Sequence, residues 1–300
     1  RRFHRGRGGH RPAGVESGCE MTANMNPQLA DLIEAFDVFF LDQYGTLHDG
    51  RMPYPGAVDA LQRIRSAGRR VVILSNSGKS AADNAARFVR LGFPETSFDH
   101  FVTSGEVAVD LVQTGRLGLS LSPRTRCFTI SSDTDTNLAD RLGLTAAEKA
   151  EEADLIVISG SQADKVGMGA YADMLRHAAA AGVPAICTNP DIQMLTPSGL
   201  APAAGSIARL YESFGGRVAW VGKPHPAMYD YAYRLCGSPP KERIVAIGDS
   251  LEHDVAGAHR FGIASVLVRL GVSDKVSREA LQAAVDEAGL KPLAILDRLS

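Results

Sequence analysis

From residue 37 onward, short apolar runs rich in β-branched and aromatic residues alternate with amphipathic stretches of helical length. A short continuous apolar run suits a strand covered on both faces, and apolar positions recurring every three to four residues suit a helix packed on one side. The runs predict strands at 37–42, 70–75, 98–103, 126–131, 154–159, 184–188, 217–222, 243–248 and 264–269. The stretches between them predict helices near 55–67, 80–91, 105–115, 166–181, 206–214, 226–236, 253–261 and 275–288. Ala67-Gly68, Leu91-Gly92, Ala181-Gly182 and Phe261-Gly262 each place glycine where a helix stops and feeds a strand. This alternation is the pattern of βαβ units and a parallel sheet, and nine strands exceed one small sheet. No internal repeat or low-complexity linker marks a boundary, so any division into domains must come from the chemistry.

Composition narrows the class. A chain of 300 residues with 45% hydrophobic and 22% charged positions can bury a full core and, at roughly 150 residues per domain, form two domains. No apolar run approaches the roughly 20 residues that span a bilayer, which argues against a membrane protein. Residues 1–20 hold five Arg and two Glu, a net of +3, which leaves −5 for the remainder of a chain of net charge −2. A mildly acidic body argues against nucleic acid as the main partner. Residues 1–25 read as a disordered leader, since 1–20 are rich in Arg and Gly and show no apolar periodicity. Met21 or Met25 fits the start of the folded chain, and a transit peptide is the weaker alternative for so glycine-rich a stretch. Cys19, Cys127, Cys187 and Cys236 form no CxxC pair and have no His at ligand spacing, which argues against structural zinc and points to thiols in a reducing cytoplasm.

Four of the strands end in groups suited to phosphate or metal. Strand 37–42 finishes in Asp42-Gln-Tyr-Gly-Thr46, and ligands of open α/β sheets bind at that carboxyl edge. Alone, Asp42 would be read as capping a turn. Strand 70–75 ends in Ser75-Asn76-Ser77-Gly78, a small polar loop whose hydroxyl and N–H groups can cradle phosphate. Strand 217–222 delivers Lys223, and strand 243–248 delivers Asp249 in Gly248-Asp-Ser-Leu-Glu-His-Asp254.

In this order the residues resemble the four motifs of the haloacid dehalogenase superfamily of phosphohydrolases: a DxxGT loop, a Ser/Thr loop, a lysine and a GDxxxxD segment. The resemblance covers roughly residues 36–272. The long gap between Asn76 and Lys223, with Thr188-Asn-Pro-Asp191 and Gly205-Ser206 inside it, is similar to the class IIA branch, which includes sugar-phosphate and nitrophenyl phosphatases and inserts a cap domain there. The resemblance implies a nucleophilic Asp42, with Lys223 neutralising charge on it and on the phosphate. It also implies Mg²⁺ held by Asp42, Asp249 and the Tyr44 carbonyl, with Asp254 supporting the metal site or orienting Lys223. Ser75, Asn76 and Ser77 would donate to phosphate oxygens, and Asn189 and Asp191 would reach the rest of the substrate from the cap.

Two departures matter. Most family members carry a second Asp two residues after the nucleophile, as general acid and base; Tyr44 stands there, and Tyr is a poor base at neutral pH. Ser77 stands where this branch often has a second Asn. Other motifs fail: Gly78-Lys79-Ser80 ends like a P-loop, but Ile73 occupies the position of its first glycine. His48, His100, His177, His225, His253 and His259 include no metal-binding pair and read as surface or capping residues, with His225 and His253 closest to the motifs.

The reading is an α/β protein with a Rossmann-like core, 26–100 and 205–300, and an α/β cap, 101–204, whose strands 126–131, 154–159 and 184–188 form a second sheet. The expected function is Mg²⁺-dependent hydrolysis of a small phosphorylated metabolite, with homodimerisation through the cap as a further expectation. Two alternatives remain: a phosphate-binding or regulatory module of little turnover, and phosphoryl transfer to an acceptor other than water. Both rest on Tyr44.

Overall fold

The computed structural model describes residues 27–196 and 199–300; the expected leader, 1–25, and Cys19 lie outside the described residues. The strands in chain order are β1 (Val38–Asp42), β2 (Arg70–Ser75), β3 (His100–Thr103), β4 (Arg126–Ile130), β5 (Thr145–Ala146), β6 (Leu155–Ile158), β7 (Pro184–Cys187), β8 (Gln193–Thr196), β9 (Gly199–Pro202), β10 (Arg217–Trp220), β11 (Ile244–Gly248), β12 (Ala264–Val268) and β13 (Ala294–Leu296). The helices are α1 (Leu29–Ala35), α2 (Ala57–Ser66), α3 (Ala81–Arg90), α4 (Ser104–Gln113), α5 (Asn137–Arg141), α6 (Met168–Ala180), α7 (Ala204–Ser213), α8 (Pro226–Leu235), α9 (Ala256–Phe261) and α10 (Arg278–Glu287).

The core is a six-stranded sheet of order β13-β12-β11-β1-β2-β3, parallel throughout. β1 lies near its centre and all five of its residues are buried. Phe39 and Leu41 project into one cluster with Leu61, Ile64 and Phe88, while Val38 and Phe40 project to the other face against Met228 and Ala258. That alternation makes a three-layer sandwich, and each fully buried side chain contributes roughly 1.5–3 kcal/mol of apolar burial.

A second parallel sheet has the order β10-β7-β6-β4-β5, with β8 and β9 as a separate antiparallel hairpin. Here the structure corrects both expected domain boundaries. β3 pairs with β2 and completes the core sheet, so the core runs past residue 100. β10, expected in the core, pairs with β7 of the second sheet, Trp220 opposite Cys187. α7 explains this, because Ala204, Ile207, Ala208 and Tyr211 pack with Ile156, Ile158, Tyr171 and Leu175, carrying the chain over that sheet before β10. The return to the core therefore comes after Trp220, at the segment that carries Lys223.

Cys127, Cys187 and Cys236 are buried free thiols; burial pushes Cys127 up to about 11 and Cys187 up to about 12, so both remain protonated core residues. Among the described residues no helix is long and apolar enough to cross a membrane.

Candidate active site

β2, β1 and β11 are neighbours, so their carboxyl ends bring Ser75, Asp42 and Asp249 to one edge. Parallel pairing sets the register, with Asp42 opposite Leu74 and Leu41 opposite Ile247. Lys223 reaches the same point from the return segment: its Nζ donates to Asp42 Oδ1 at 2.5 Å and to Asp254 Oδ1 at 2.8 Å. All four charged residues are buried, Lys223 3% exposed and Asp42 9%. Asp42, Asp249 and Asp254 each offer an oxygen, and the three lie within 4.8 Å of one another.

Crowded carboxylates titrate abnormally. Burial is the largest influence on Asp42 and raises its carboxyl to about 6, with Asp254 adding to the rise and Lys223 opposing it. Asp249 is raised well above the usual carboxylate range, by burial first and then by Asp42 and Asp254. Burial works against the charge on Lys223, but Asp254 and Asp42 outweigh it and hold the ammonium protonated.

Glycines make room for this crowding. Gly45 has φ +87°, and a Cβ there would lie 2.4 Å from Asp249 Oδ2. A Cβ on Gly248 would lie 2.1 Å from Asp254 Cγ. The loop after β12 closes the site from the far side, Val272 N–H donating to Asp249 Oδ2 at 2.7 Å. Asp254 spends its second oxygen on the Ser250 N–H at 3.1 Å. The Tyr229 hydroxyl, directed at the His253 and Asp254 carbonyls (3.1 and 3.2 Å), steadies the turn that carries Asp254.

The polar loop after β2 is tied to the lysine segment and to the first loop. Asn76 Oδ1 accepts from Lys223 N–H (2.7 Å), and its Nδ2 donates to Asp191 Oδ1 (2.9 Å) and the Lys223 carbonyl (3.2 Å). Its side-chain amide thereby holds the lysine segment. Ser75 is buried and its Oγ accepts from Gln43 Nε2 at 2.7 Å. Ser77, Lys79, Asn189, Ser131, Ser132 and Asp133 line a cavity beside this loop, between core and second sheet. Lys79 crosses it to Asp133 (3.3 Å) and Asp135 (3.4 Å). Asn189 turns its Oδ1 back to accept from Asp191 N–H, and Asp191 lies 3.6 Å from His253 Nδ1. Tyr44 is 46% exposed, its ring edge-on to His48 and against Gly50.

Sequence reasoning missed Gln43 and Asn84, and read His48 as a surface or capping residue. His48 is fully buried, and burial, with Arg87 adding, lowers its pKa to about 4. A buried polar network has no characteristic spacing; the only signal was the polar pair Gln43 and His48 at either end of the Tyr44-Gly45-Thr46-Leu47 turn.

Two family profiles match the chain, haloacid dehalogenase-like hydrolase over residues 39–145 and HAD-hydrolase-like over 220–299. A crystal structure of a haloacid dehalogenase-like hydrolase from Brucella suis 1330 is 33% identical, with a TM-score of 0.77 covering 91% of this chain and 99% of that one. The chain belongs to the haloacid dehalogenase-like hydrolase family. D-glycerol 3-phosphate phosphatase of Mycobacterium tuberculosis is 29% identical over 248 residues, 82% of this hydrolase and 66% of that relative's own length. The structure of glycerol phosphate phosphatase from Mycobacterium tuberculosis in complex with magnesium is 27% identical, with a TM-score of 0.70 over 89% of this chain and 77% of that one.

Proposed function

We propose that this hydrolase is a Mg²⁺-dependent phosphatase of small phosphorylated metabolites, working through an aspartyl-phosphate on Asp42. The observation that carries the reading is Lys223 Nζ held between Asp42 and Asp254, with Asp249 completing a buried carboxylate group at the sheet edge. The donor set fits a hard divalent cation. Three buried carboxylates face one ammonium, Asp42 and Asp249 are raised by burial first and by the neighbouring carboxylates after it, and all the donors are oxygens. Asp42, Asp249 and the Tyr44 carbonyl would hold the ion, while both Asp254 oxygens already serve Lys223 and Ser250. When bound, Mg²⁺ supplies charge neutralisation and orientation of the phosphate.

Asp42 attacks phosphorus and the bond to the leaving oxygen breaks, giving an acyl phosphate and a leaving oxyanion that takes its proton from water to become the alcohol. Lys223 offsets the charge on the nucleophile and on the transferring group, and Ser75 donates to a phosphate oxygen. Water then attacks the acyl phosphate, releasing inorganic phosphate and restoring the carboxylate. We assign residues 27–103 and 221–300 to the catalytic core and 104–220 to the cap, which excludes bulk water and presents Asn189 and Asp191 to the rest of the substrate. The magnesium complex of the mycobacterial glycerol phosphate phosphatase supports both the metal and the substrate class.

A second reading, a phosphate-binding module of little turnover, is favoured by Tyr44, which brings no carboxylate to the usual acid position and lays its ring on His48. A screen of aryl, acyl, sugar and nucleotide phosphates with and without Mg²⁺ separates the two. Turnover that needs Mg²⁺ and is abolished by Asp42→Asn supports the phosphatase. A folded protein that binds phosphate and hydrolyses none of them supports the binding module.

A further inference from the structure

Behind Ser75 runs a buried chain of hydrogen bonds whose direction is fixed at both ends by main-chain groups. At one end the Gly50 N–H, which can only donate, points to His48 Nδ1 at 3.0 Å. Nδ1 is therefore the acceptor, and the His48 proton sits on Nε2, 3.2 Å from Gln43 Oε1. At the other end the Ser80 carbonyl, which can only accept, takes Asn84 Nδ2 at 2.9 Å. Asn84 therefore turns its Oδ1 toward Gln43 Nε2, at 3.4 Å. Both anchors set the Gln43 amide the same way, oxygen to His48 and nitrogen to Asn84 and Ser75. Ser75 Oγ must then accept from Gln43 at 2.7 Å, and it also accepts from the Ser77 N–H at 3.3 Å. Its two lone pairs are used, and among the hydrogen bonds of the described residues none takes its proton.

We propose that Gln43 and His48 are positioning residues that force the Ser75 hydroxyl to present its proton to the phosphate of the substrate. A free serine hydroxyl beside an anion must first turn away from other acceptors. Here the polarity is set before the ligand arrives, so the charge-assisted bond costs no reorientation. The inference rests on the phosphate-binding reading of the loop after β2 proposed above. It adds a function to Gln43, an unspecified position of the DxxGT loop, and to His48, two residues beyond that loop.

The test is calorimetric titration of inorganic phosphate, in the presence of Mg²⁺, into the full chain and its variants, with a thermal melt to confirm folding. Ser75→Ala should weaken phosphate binding about ten- to a hundredfold, the loss of one hydrogen bond to a charged group. Gln43→Met removes the relay at nearly constant volume and should weaken binding several-fold. The Ser75→Ala/Gln43→Met double variant should bind no more weakly than Ser75→Ala alone, because Gln43 acts only through the serine. His48→Gln, which can both accept from Gly50 and donate to Gln43, should bind phosphate as the parent does, whereas His48→Leu should not. Should Gln43→Met fail to fold, the same comparison is made with His48→Leu in both backgrounds. Additive losses in the double variant would overturn the relay while leaving Ser75 as a phosphate ligand. An unchanged affinity in Ser75→Ala would overturn the phosphate reading itself.

Discussion

Tyr44 stands two residues after Asp42, where a carboxylate would protonate the leaving oxygen, and its ring lies against His48 and Gly50. Tyr44→Asp should therefore raise kcat/KM, and do so selectively. An alkoxide leaves only with a proton, whereas an aryl oxide or carboxylate leaves as a stable anion, so the gain on alkyl phosphates should exceed that on aryl or acyl phosphates, with a ceiling of about 10²–10⁴-fold. A matched aryl and alkyl pair measured on both proteins decides it, and an unchanged ratio would mean that the site already has its acid. His48 gives a second test at the same scale. Its folded pKa of about 4 lies below the ordinary 6.5, so the unfolded chain takes up a proton that the folded one refuses. Stability contributed by neutral His48 is complete above about pH 6.5 and is lost as pH falls toward 4, by about 3 kcal/mol in all. Denaturant unfolding of the parent and His48→Gln from pH 7 to 4.5 should show the gap in stability moving in favour of the variant as the medium becomes acid. Parallel curves would place the histidine's titration elsewhere.

At the scale of elements, the nine strands legible as apolar runs all form, because a run of buried β-branched and aromatic residues has few other outcomes in a parallel sheet. What the runs could not reveal was membership. Arg217–Trp220 is as good a core strand as Ile244–Gly248, and only the packing of α7 sends it to the second sheet. The unanticipated strands were short: β5 has two residues, β13 three, and β8 and β9 four each. Asp42, Lys223 and Asp249 were legible because each ends an apolar strand or follows one closely, and Asp254 because it lies five residues after Asp249. Asn76 was legible as a site residue, but its bonds to the lysine segment were not, since a loop amide can face a ligand or a neighbouring main chain with equal ease. Its bonds to the Lys223 N–H and carbonyl join the end of β2 to the return from the cap. Asn76→Ala should thus lower kcat about ten- to a hundredfold through displacement of Lys223 from Asp42, with the melting temperature nearly unchanged. Asn76→Asp keeps the acceptor for Lys223 N–H but sets a carboxylate against Asp191, and should do no better than alanine. Equal kcat in all three would mean that the lysine is held by its own ion pairs alone.

Across the whole molecule, the core and the second sheet are joined by apolar packing more than by charge. One buried cluster contains Val38, Phe40, Val72 and Val102 of the core sheet together with Cys127, Leu155, Val157 and Ile186 of the other. α4 lies between them, supplying Val107, Ala108 and Leu111 to the same cluster. The Lys79 bridges to Asp133 and Asp135 span the same junction, but with Lys79 49% and Asp133 56% exposed they contribute little, about 0–1 kcal/mol for such surface pairs. Unfolding the second sheet alone would leave that face of the core sheet open to water, at roughly 25 cal/mol for each Å² of apolar surface uncovered. The two parts should therefore lose structure together. The chain has a single tryptophan, Trp220, and it lies on the outermost β10 strand of the second sheet with its indole N–H donating to Glu212 at 2.9 Å. Its fluorescence reports that sheet, while far-ultraviolet circular dichroism reports helices and strands of both. In a urea titration the two signals should follow one curve with one midpoint. Leu111→Ala, at the shared cluster, should lower that midpoint for both probes equally, reflecting the loss of about 2–5 kcal/mol of stability typical of a truncated core leucine. If Trp220 instead reported an earlier transition, and Leu111→Ala shifted only the later one, the cap would be an independent folding unit and the apolar cluster would not couple it to the catalytic core.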